Sequence, residues 1–431
     1  MYPYSLYLAF LQLKSHRILT AIIALAIGVG VASTMTIFTV IHVLSRDPLP
    51  GRSHLLYYPT LDSRPDNWHA DGPDPSLNLT WLDASNLLAA KRGVRQAAMA
   101  GGELLLKSDA PLALPAMVQG RYVTPDFFPM FGVPFLTGRA WNAQEETERV
   151  HVMVINASLS RRLFGTTNSV GKLIRTRDTE FTVIGVINDW APRPLFYNDV
   201  DGKSFSREDD FFLPLHTAVD MGTNTTGNRV CWGSDSNPSL TSDQCTWLQF
   251  WVELQPDQVA GYETFLANYQ RQQADAGRFS HRGSAHLYPL NAWLKRQNLI
   301  PNGVWLQFAL VSCFFFVCLV NIFSLLLTKF MGRASEVSVR RSLGARRRDV
   351  FLQFTMEASL IGFVGGILGL ALTQIGLAIV HGQPDSYAKV VHTDITMLAA
   401  TLVVAVLGCV LAGAIPAWRA SSVAPSLYLK D

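Results

Sequence analysis

Charge is scarce in this chain. Of its 431 residues only 16% are charged and 49% are hydrophobic, whereas a soluble domain carries about a quarter charged residues. That shortage excludes a wholly soluble protein. The formal net charge is +3, and the basic residues cluster beside apolar runs, within reach of lipid, so nucleic acid is excluded as a partner. Cysteines number five, with no CxxC-type spacing, and no metal site is assigned. Catalytic groupings are also missing. His69, His151, His281 and His286 are scattered, with no Ser/His/Asp or paired-carboxylate arrangement, so no catalytic residue is assigned. The stretch Gly165–Lys172 (GTTNSVGK) imitates a phosphate-binding loop. It places five residues between its glycines instead of four, and Leu173 stands where Ser or Thr would hold magnesium. It reads as a turn after a helix, and the chain is not expected to hydrolyse ATP alone or to carry a cofactor.

What the chain does have is four long apolar blocks around one large polar insert. Residues 1–17 mix Tyr, Leu and Phe with Lys14, His16 and Arg17, which suits an interfacial helix on the inner leaflet. Residues 18–44 carry no formal charge and are long enough to cross about 30 Å of hydrocarbon with tilt. A cleaved signal peptide is the rival, but the run is too long and no A-x-A site closes it. Ala24, Gly28 and Ala32 repeat every four residues, spacing that permits a close helix contact. Further spans are expected at 304–328, 350–380 and 395–418, with a loop at 381–394 and a tail at 419–431. Asn321, within the second span, is read as bonding to a neighbouring helix. Pro416, Trp418 and Arg419 mark the inner interface. Gly362, Gly365, Gly366 and Gly369 in the third span follow a three- and four-residue spacing for close backbone approach. Glu357, near the end of that span, is a functional candidate by its position, with pairing to a loop arginine the preferred alternative.

The insert, 45–303, reads as an α+β domain. Val150–Ile155 and Phe181–Ile187 are strand-like, and Asn156–Phe164 between them is a helix capped by Asn156. Trp81–Arg92 and Tyr262–Ala276 are further helices. Asn188–Cys245 is polar and turn-rich and reads as an insertion rather than core. Cys231 and Cys245 are 14 positions apart within it. Outside the cytoplasm they would close a disulfide worth about 3 kcal/mol; two free thiols are the alternative. Cys313, Cys318 and Cys409 lie in spans, as small apolar residues.

Residues 329–349, KFMGRASEVSVRRSLGARRRD, hold seven basic and two acidic residues between two spans. The positive-inside rule places such a loop in the cytoplasm. Topology then closes with both termini inside and 45–303 and 381–394 outside. Glu336–Arg348 reads as a short helix with Gly344 as a stop signal. Either its arginines only set topology, or the helix receives a push from a soluble partner.

Three pieces of sequence give this chain a family likeness. The first is the order of parts: one span, a large extracytoplasmic domain, three spans. The second is Glu336-Val-Ser-Val-Arg-Arg-Ser-Leu-Gly-Ala345 followed by Arg346–Asp349 and the glycine-rich third span. The third is Tyr122-Val-Thr-Pro-Asp-Phe-Phe128, Phe131-Gly-Val-Pro-Phe-Leu-Thr-Gly-Arg139 and Leu163-Phe-Gly through Val170-Gly-Lys172 to Val183-Ile-Gly-Val186. With these the chain resembles the FtsX/MacB class of ABC transporter permeases over most of its length, with a poor match at residues 188–250. The resemblance implies a membrane protein of four transmembrane α-helices with an α+β extracytoplasmic domain between the first and second, in a bacterial inner membrane. It implies a separate ABC ATPase that binds ATP and magnesium. It also implies a second permease chain, identical or homologous, and leaves open a periplasmic adaptor and an outer-membrane duct. Glu336, Val339, Arg340, Arg341, Leu343, Gly344, Arg346 and Arg347 would form the coupling helix. ATP-driven closure of the ATPase would move the outer domain, serving efflux of peptides, lipopeptides or macrolide-like amphiphiles. Lipoprotein release or control of a cell-wall hydrolase is the alternative within the family, and a membrane-anchored ligand sensor the alternative outside it.

Overall fold

The structure, a computed structural model, describes residues 17–64, 78–107, 116–176, 179–197, 208–233, 238–280, 285–297, 302–382 and 395–422. The expected interfacial helix before Arg17, most of the 381–394 loop, the tail beyond Ser422, His69 and His281 lie outside the described residues. The chain divides into two compact units, residues 46–299 and the segments flanking them.

Helix α1, Arg17–Leu44, opens the flanking unit. The inserted unit then contributes α2 (Trp81–Ala90), α3 (Ala157–Phe164) and α4 (Val259–Asp275). Its main strands are β1 (Leu56–Thr60), β2 (Arg95–Leu106), β3 (Ala116–Val123), β4 (Phe135–Gly138) and β5 (Val152–Asn156). They continue as β6 (Glu180–Ile187), β7 (Phe211–Pro214), β8 (Cys245–Glu253) and β9 (His286–Pro289). These join in the order β9-β1-β8-β2-β3-β7-β5-β6-β4. The pairs β3–β7 and β5–β6 are parallel and the rest antiparallel. The sheet is mixed and helices are interspersed, so the unit is an α+β domain.

Both faces of the sheet are covered, which is why its central strands are near-continuous apolar runs without polar alternation. Along β8, Phe250 and Val252 enter one core and Trp251 the other; along β2, Ala98 and Ala100 part from Ala97 and Met99 in the same way. The first core lies under α2, α3 and α4. The second is aromatic, with Tyr58 stacked on Trp293 at 3.6 Å and Phe131, Phe196 and Trp251 meeting edge to face. Helix starts follow local chemistry. Asn156 accepts from the Leu159 N–H at 2.6 Å to cap α3, and Thr80 accepts from the Asp83 N–H at 3.1 Å to cap α2.

The reading of Asn188–Cys245 as an insertion is corrected by this core. Its strand β7 sits mid-sheet between β3 and β5, and Leu195, Phe196, Tyr197, Phe211, Phe212 and Leu213 are all buried. Arg121 of β3 ties the segment down. Its guanidinium pairs with Asp209 at 3.1 Å, donates to the Tyr197 carbonyl at 2.8 Å and to Gln249 at 3.0 Å, and lies over the Tyr197 ring. The polar loops on either side mask a short buried strand. Farther along, Cys231 and Cys245 face each other across an antiparallel pair and are joined as a disulfide.

The flanking unit continues with α5 (Asn302–Met331), α6 (Ala334–Ser342), α7 (Arg347–His381) and α8 (Ile395–Ser422). Helices α1, α5, α7 and α8 are each long and apolar enough to cross a membrane. At 1.5 Å per residue, the 35 residues of α7 extend about 50 Å, well beyond the hydrocarbon thickness. The four glycines of α7 do not make one seam. A Cβ on Gly365 would lie 2.9 Å from Ile27 and one on Gly369 would lie 3.4 Å from the Gly28 carbonyl, so this pair meets α1 along Ala24, Ile27, Gly28 and Val31. A Cβ on Gly362 would meet Cys409 at 2.9 Å, and one on Gly366 would meet Leu402 at 2.8 Å, so that pair meets α8. Helix α7 is therefore held on two sides, each by close backbone approach.

Two outcomes are expected. Gly365→Ala or Gly362→Ala forces a methyl into occupied space and costs about 1–3 kcal/mol of stability, whereas Gly369→Ala is tolerated; thermal melting of the purified chain in detergent separates them. Burial pushes the Tyr122 phenol up from 10.0 to about 12, and raises those of Tyr197 and Tyr262 as well. The neutral form of Tyr122 therefore stabilises the fold fully below pH 10.0, and that contribution is lost as pH rises toward about 12; Tyr197 and Tyr262 act in the same direction. Phenolate absorbance and far-ultraviolet circular dichroism should change together over that interval.

Candidate functional site

The arginine-rich stretch between α5 and α7 folds as a helix held between two glycines. Helix α5 runs on to Met331, so Lys329 belongs to a span and not to the loop where its charge placed it. After Gly332, Arg333 occupies the N-terminal cap of α6. The helix expected over Glu336–Arg348 ends instead at Ser342. Gly344 adopts a φ of +102°, a conformation that L side chains avoid, and the Gly344 and Ala345 N–H groups close the turn on the Arg341 and Arg340 carbonyls at 3.1 Å each. Arg347 and Arg348 then open α7, with Arg346 at its cap.

The faces of α6 differ. Ala334, Val337 and Ser338 recur at helical spacing and are buried. On the other side Val339 is 50% exposed and Leu343 83% exposed, and Arg346, Arg347 and Arg348 are exposed as well. An apolar pair with a rim of guanidinium groups is thus presented outward. Glu336 does not project into that rim. It accepts from Arg333 Nε at 3.2 Å and pairs with Arg340 one turn on, while Arg340 also donates to Gln353 of α7 at 3.1 Å. Of the expected coupling residues, then, Val339, Leu343, Arg346 and Arg347 face outward. Glu336 and Arg340 instead fasten the helix to itself and to its neighbour, and Gly344 sets the turn.

Beneath α6 lies a charged cluster that the sequence displays only in pieces. Glu357 of α7 is fully buried. Lys329 of α5, with its side chain 1% exposed, pairs with it at 2.7 Å and donates to Thr20 of α1 at 3.1 Å. Arg333 reaches the other carboxylate oxygen at 3.0 Å, with its guanidinium over the Phe354 ring. The preferred reading of Glu357, pairing with a loop arginine, matches the Arg333 contact; the Lys329 contact is additional. What the sequence shows of this contact is an acidic residue deep in a span helix; Lys329, 28 positions away, carries no local mark of the pairing. Removing one partner from such a buried group typically costs about 3–5 kcal/mol, because the remaining charge is stranded.

The imitation phosphate loop is spent on folding. Gly165 ends α3 with a φ of +70°, the Gly171 N–H donates to the Val183 carbonyl at 2.7 Å, and Lys172 lies over the Phe164 ring. Among the described residues, no group of three or more His, Cys, Asp or Glu is placed to hold a metal ion.

The family model for the MacB-like periplasmic core domain matches residues 20–260, and that for the FtsX-like permease C-terminal matches residues 308–425. The chain is 23% identical over 446 residues to the macrolide export ATP-binding/permease protein MacB of Shewanella sp. (strain ANA-3), covering 98% of this chain and 60% of that protein. It is 24% identical over 438 residues to the protein of the same name from Burkholderia lata, covering 97% of this chain and 56% of that one. It thus spans less than two thirds of the length of these relatives. The crystal structure of the periplasmic region of MacB from Actinobacillus actinomycetemcomitans aligns with a TM-score of 0.37 and 12% identity, over 58% of this chain and 97% of that chain. The first family model alone covers more than half of the sequence, and the chain, a multi-pass membrane protein, belongs to the MacB/FtsX-like family of ABC transporter permeases.

Proposed function

We propose that this chain is the permease subunit of an ABC exporter, transmitting the ATP-driven motion of a separate ATPase across the inner membrane to the domain at residues 46–299. The observation that carries this is the two-sided character of α6. One face is anchored in the bundle, while Val339 and Leu343 with their arginine rim face outward between two spans. Exposed apolar knobs beside guanidinium groups fit a protein groove lined by carboxylates, and the positive-inside rule puts that groove in the cytoplasm. Both termini are then cytoplasmic and the inserted domain is periplasmic.

ATP and magnesium belong, in this reading, to the partner. The relatives are named as ATP-binding/permease proteins, and this chain matches their permease part. A second permease chain would complete the membrane assembly, and the domain could engage an adaptor and an outer-membrane duct. The cargo proposed after the relatives' name is a macrolide-like amphiphile, with a peptide or lipopeptide as the other choice. Transmission is favoured over conduction through the spans because α1, α5, α7 and α8 place few charges at membrane depth, and those of the Glu357 cluster satisfy one another.

The test is recovery of the ATPase with the full-length chain from detergent-solubilised membranes. Val339→Asp with Leu343→Asp should reduce the recovered ATPase at least tenfold while leaving the amount of inserted permease unchanged, and charge reversal at Arg346 and Arg347 should act in the same direction. Undiminished recovery from the double aspartate variant would refute the docking role of α6.

A further inference from the structure

Helix α6 is linked to its neighbours by Gly332 on one side and by Gly344 and Ala345 on the other. Glycine lets the backbone swing, so these links do not by themselves fix the angle of α6. The buried contacts of Val337 hold it against the bundle, but apolar contact is non-directional and tolerates rotation. Two directional contacts tie it to α7: Arg340 donates to Gln353 at 3.1 Å, and a fork stands at the start of the helix. Arg333 spends Nε on Glu336 within α6 and its terminal nitrogen on Glu357 of α7, and a planar guanidinium that serves two carboxylates has little freedom left. The same Glu357 holds Lys329 of α5, which holds Thr20 of α1. One side chain therefore joins α5, α6 and α7 directly and α1 through one intermediate.

We propose that Glu357 is a positioning residue that, together with the Arg340–Gln353 bond, keeps α6 at a fixed angle to the membrane helices, so that a push on α6 reaches α1 and α7 as displacement instead of being lost in rotation about the two glycine links. This rests on the reading of α6 as the receiver of ATPase motion, but the angle of α6 is a property of the permease chain alone and can be measured without the ATPase. Water is excluded from the carboxylate, so the contact escapes the screening that weakens exposed ion pairs. Glu336, on the open side of the fork, is exposed and reinforces Arg333 without sealing it.

The experiment uses the full chain in lipid nanodiscs, with Cys313, Cys318 and Cys409 replaced by alanine. A nitroxide is placed at Leu343→Cys, at the far end of α6, and a control nitroxide at Phe363→Cys on the exposed side of α7. Glu357→Gln keeps the size of the side chain and removes its charge; Arg333→Gln removes the α6 arm alone. Each should shorten the rotational correlation time of the label at 343 at least twofold and leave the label at 363 unchanged. The two together should loosen the label at 343 no further than either alone, since both break one fork. The proposal is overturned if the label at 343 keeps its mobility in both variants, or if both labels loosen equally, which would mark Glu357 as general packing glue. If the label responds as expected but the Val339→Asp, Leu343→Asp chain still recovers its ATPase, the positioning role stands and the docking reading alone falls.

Discussion

A carboxylate sealed from water has to find its counter-charges inside the protein, and in the membrane unit Glu357 finds two. That requirement governs much of the arrangement around it. Helix α5 must run far enough to deliver Lys329. The chain must turn immediately afterwards to bring Arg333 across, and α7 must stand close enough to both for direct contact. The Phe330 ring of α5 stacks on the Phe354 ring of α7 at 4.4 Å and accompanies that approach. Farther along α7, Gly365 and Gly369 lie against α1 and Gly362 and Gly366 against α8. Packing and electrostatics are one problem here: looser helices would hydrate the cluster, and an unpaired cluster would push the helices apart.

The inserted domain solves a different problem with similar means. Its sheet is covered on both faces, so its polar groups need internal partners. Arg121 is the clearest case. It is buried under the aromatic core and satisfied by Asp209, the Tyr197 carbonyl and Gln249. These bonds bring three distant stretches of chain to one point and give the Tyr197 ring a cation to rest on. Asp83 acts similarly on the opposite face, where it accepts from Tyr269 at 2.8 Å and pairs with Arg278, joining the start of α2 to the end of α4.

Much of this was legible in the residues. Four apolar blocks announced four spanning helices because the length and purity of such runs answer to bilayer thickness alone. The cap at Asn156 and the strand–helix–strand run from Val150 to Ile187 carried local signals that tertiary structure did not override. The false phosphate loop could be dismissed on spacing. Three features were misjudged, each because its determinant is non-local. Strand β7 has only four residues between polar loops, and nothing nearby reveals that it is buried mid-sheet. The end of α6 depends on the φ of Gly344, which wins over the helix-forming arginines beyond it. Lys329 looked like a topology charge because its partner is 28 positions away. Within the candidate site, the outward residues Val339, Leu343, Arg346 and Arg347 could be named from the motif. The division of labour between them and the fastening residues Glu336 and Arg340 required coordinates.

The edge of the sheet has one mechanical consequence. Strands β1 and β9 are antiparallel neighbours, with Tyr57 opposite Pro289 and Thr60 opposite His286. The chain therefore enters β1 and leaves β9 at the same end of one ladder. Strands fastened at a shared end part like a zip: a force that spreads the two ends meets the residue pairs one after another, from Tyr57–Pro289 inward to Thr60–His286. Resistance to such a force is set by the pair nearest the entry and not by the sheet as a whole.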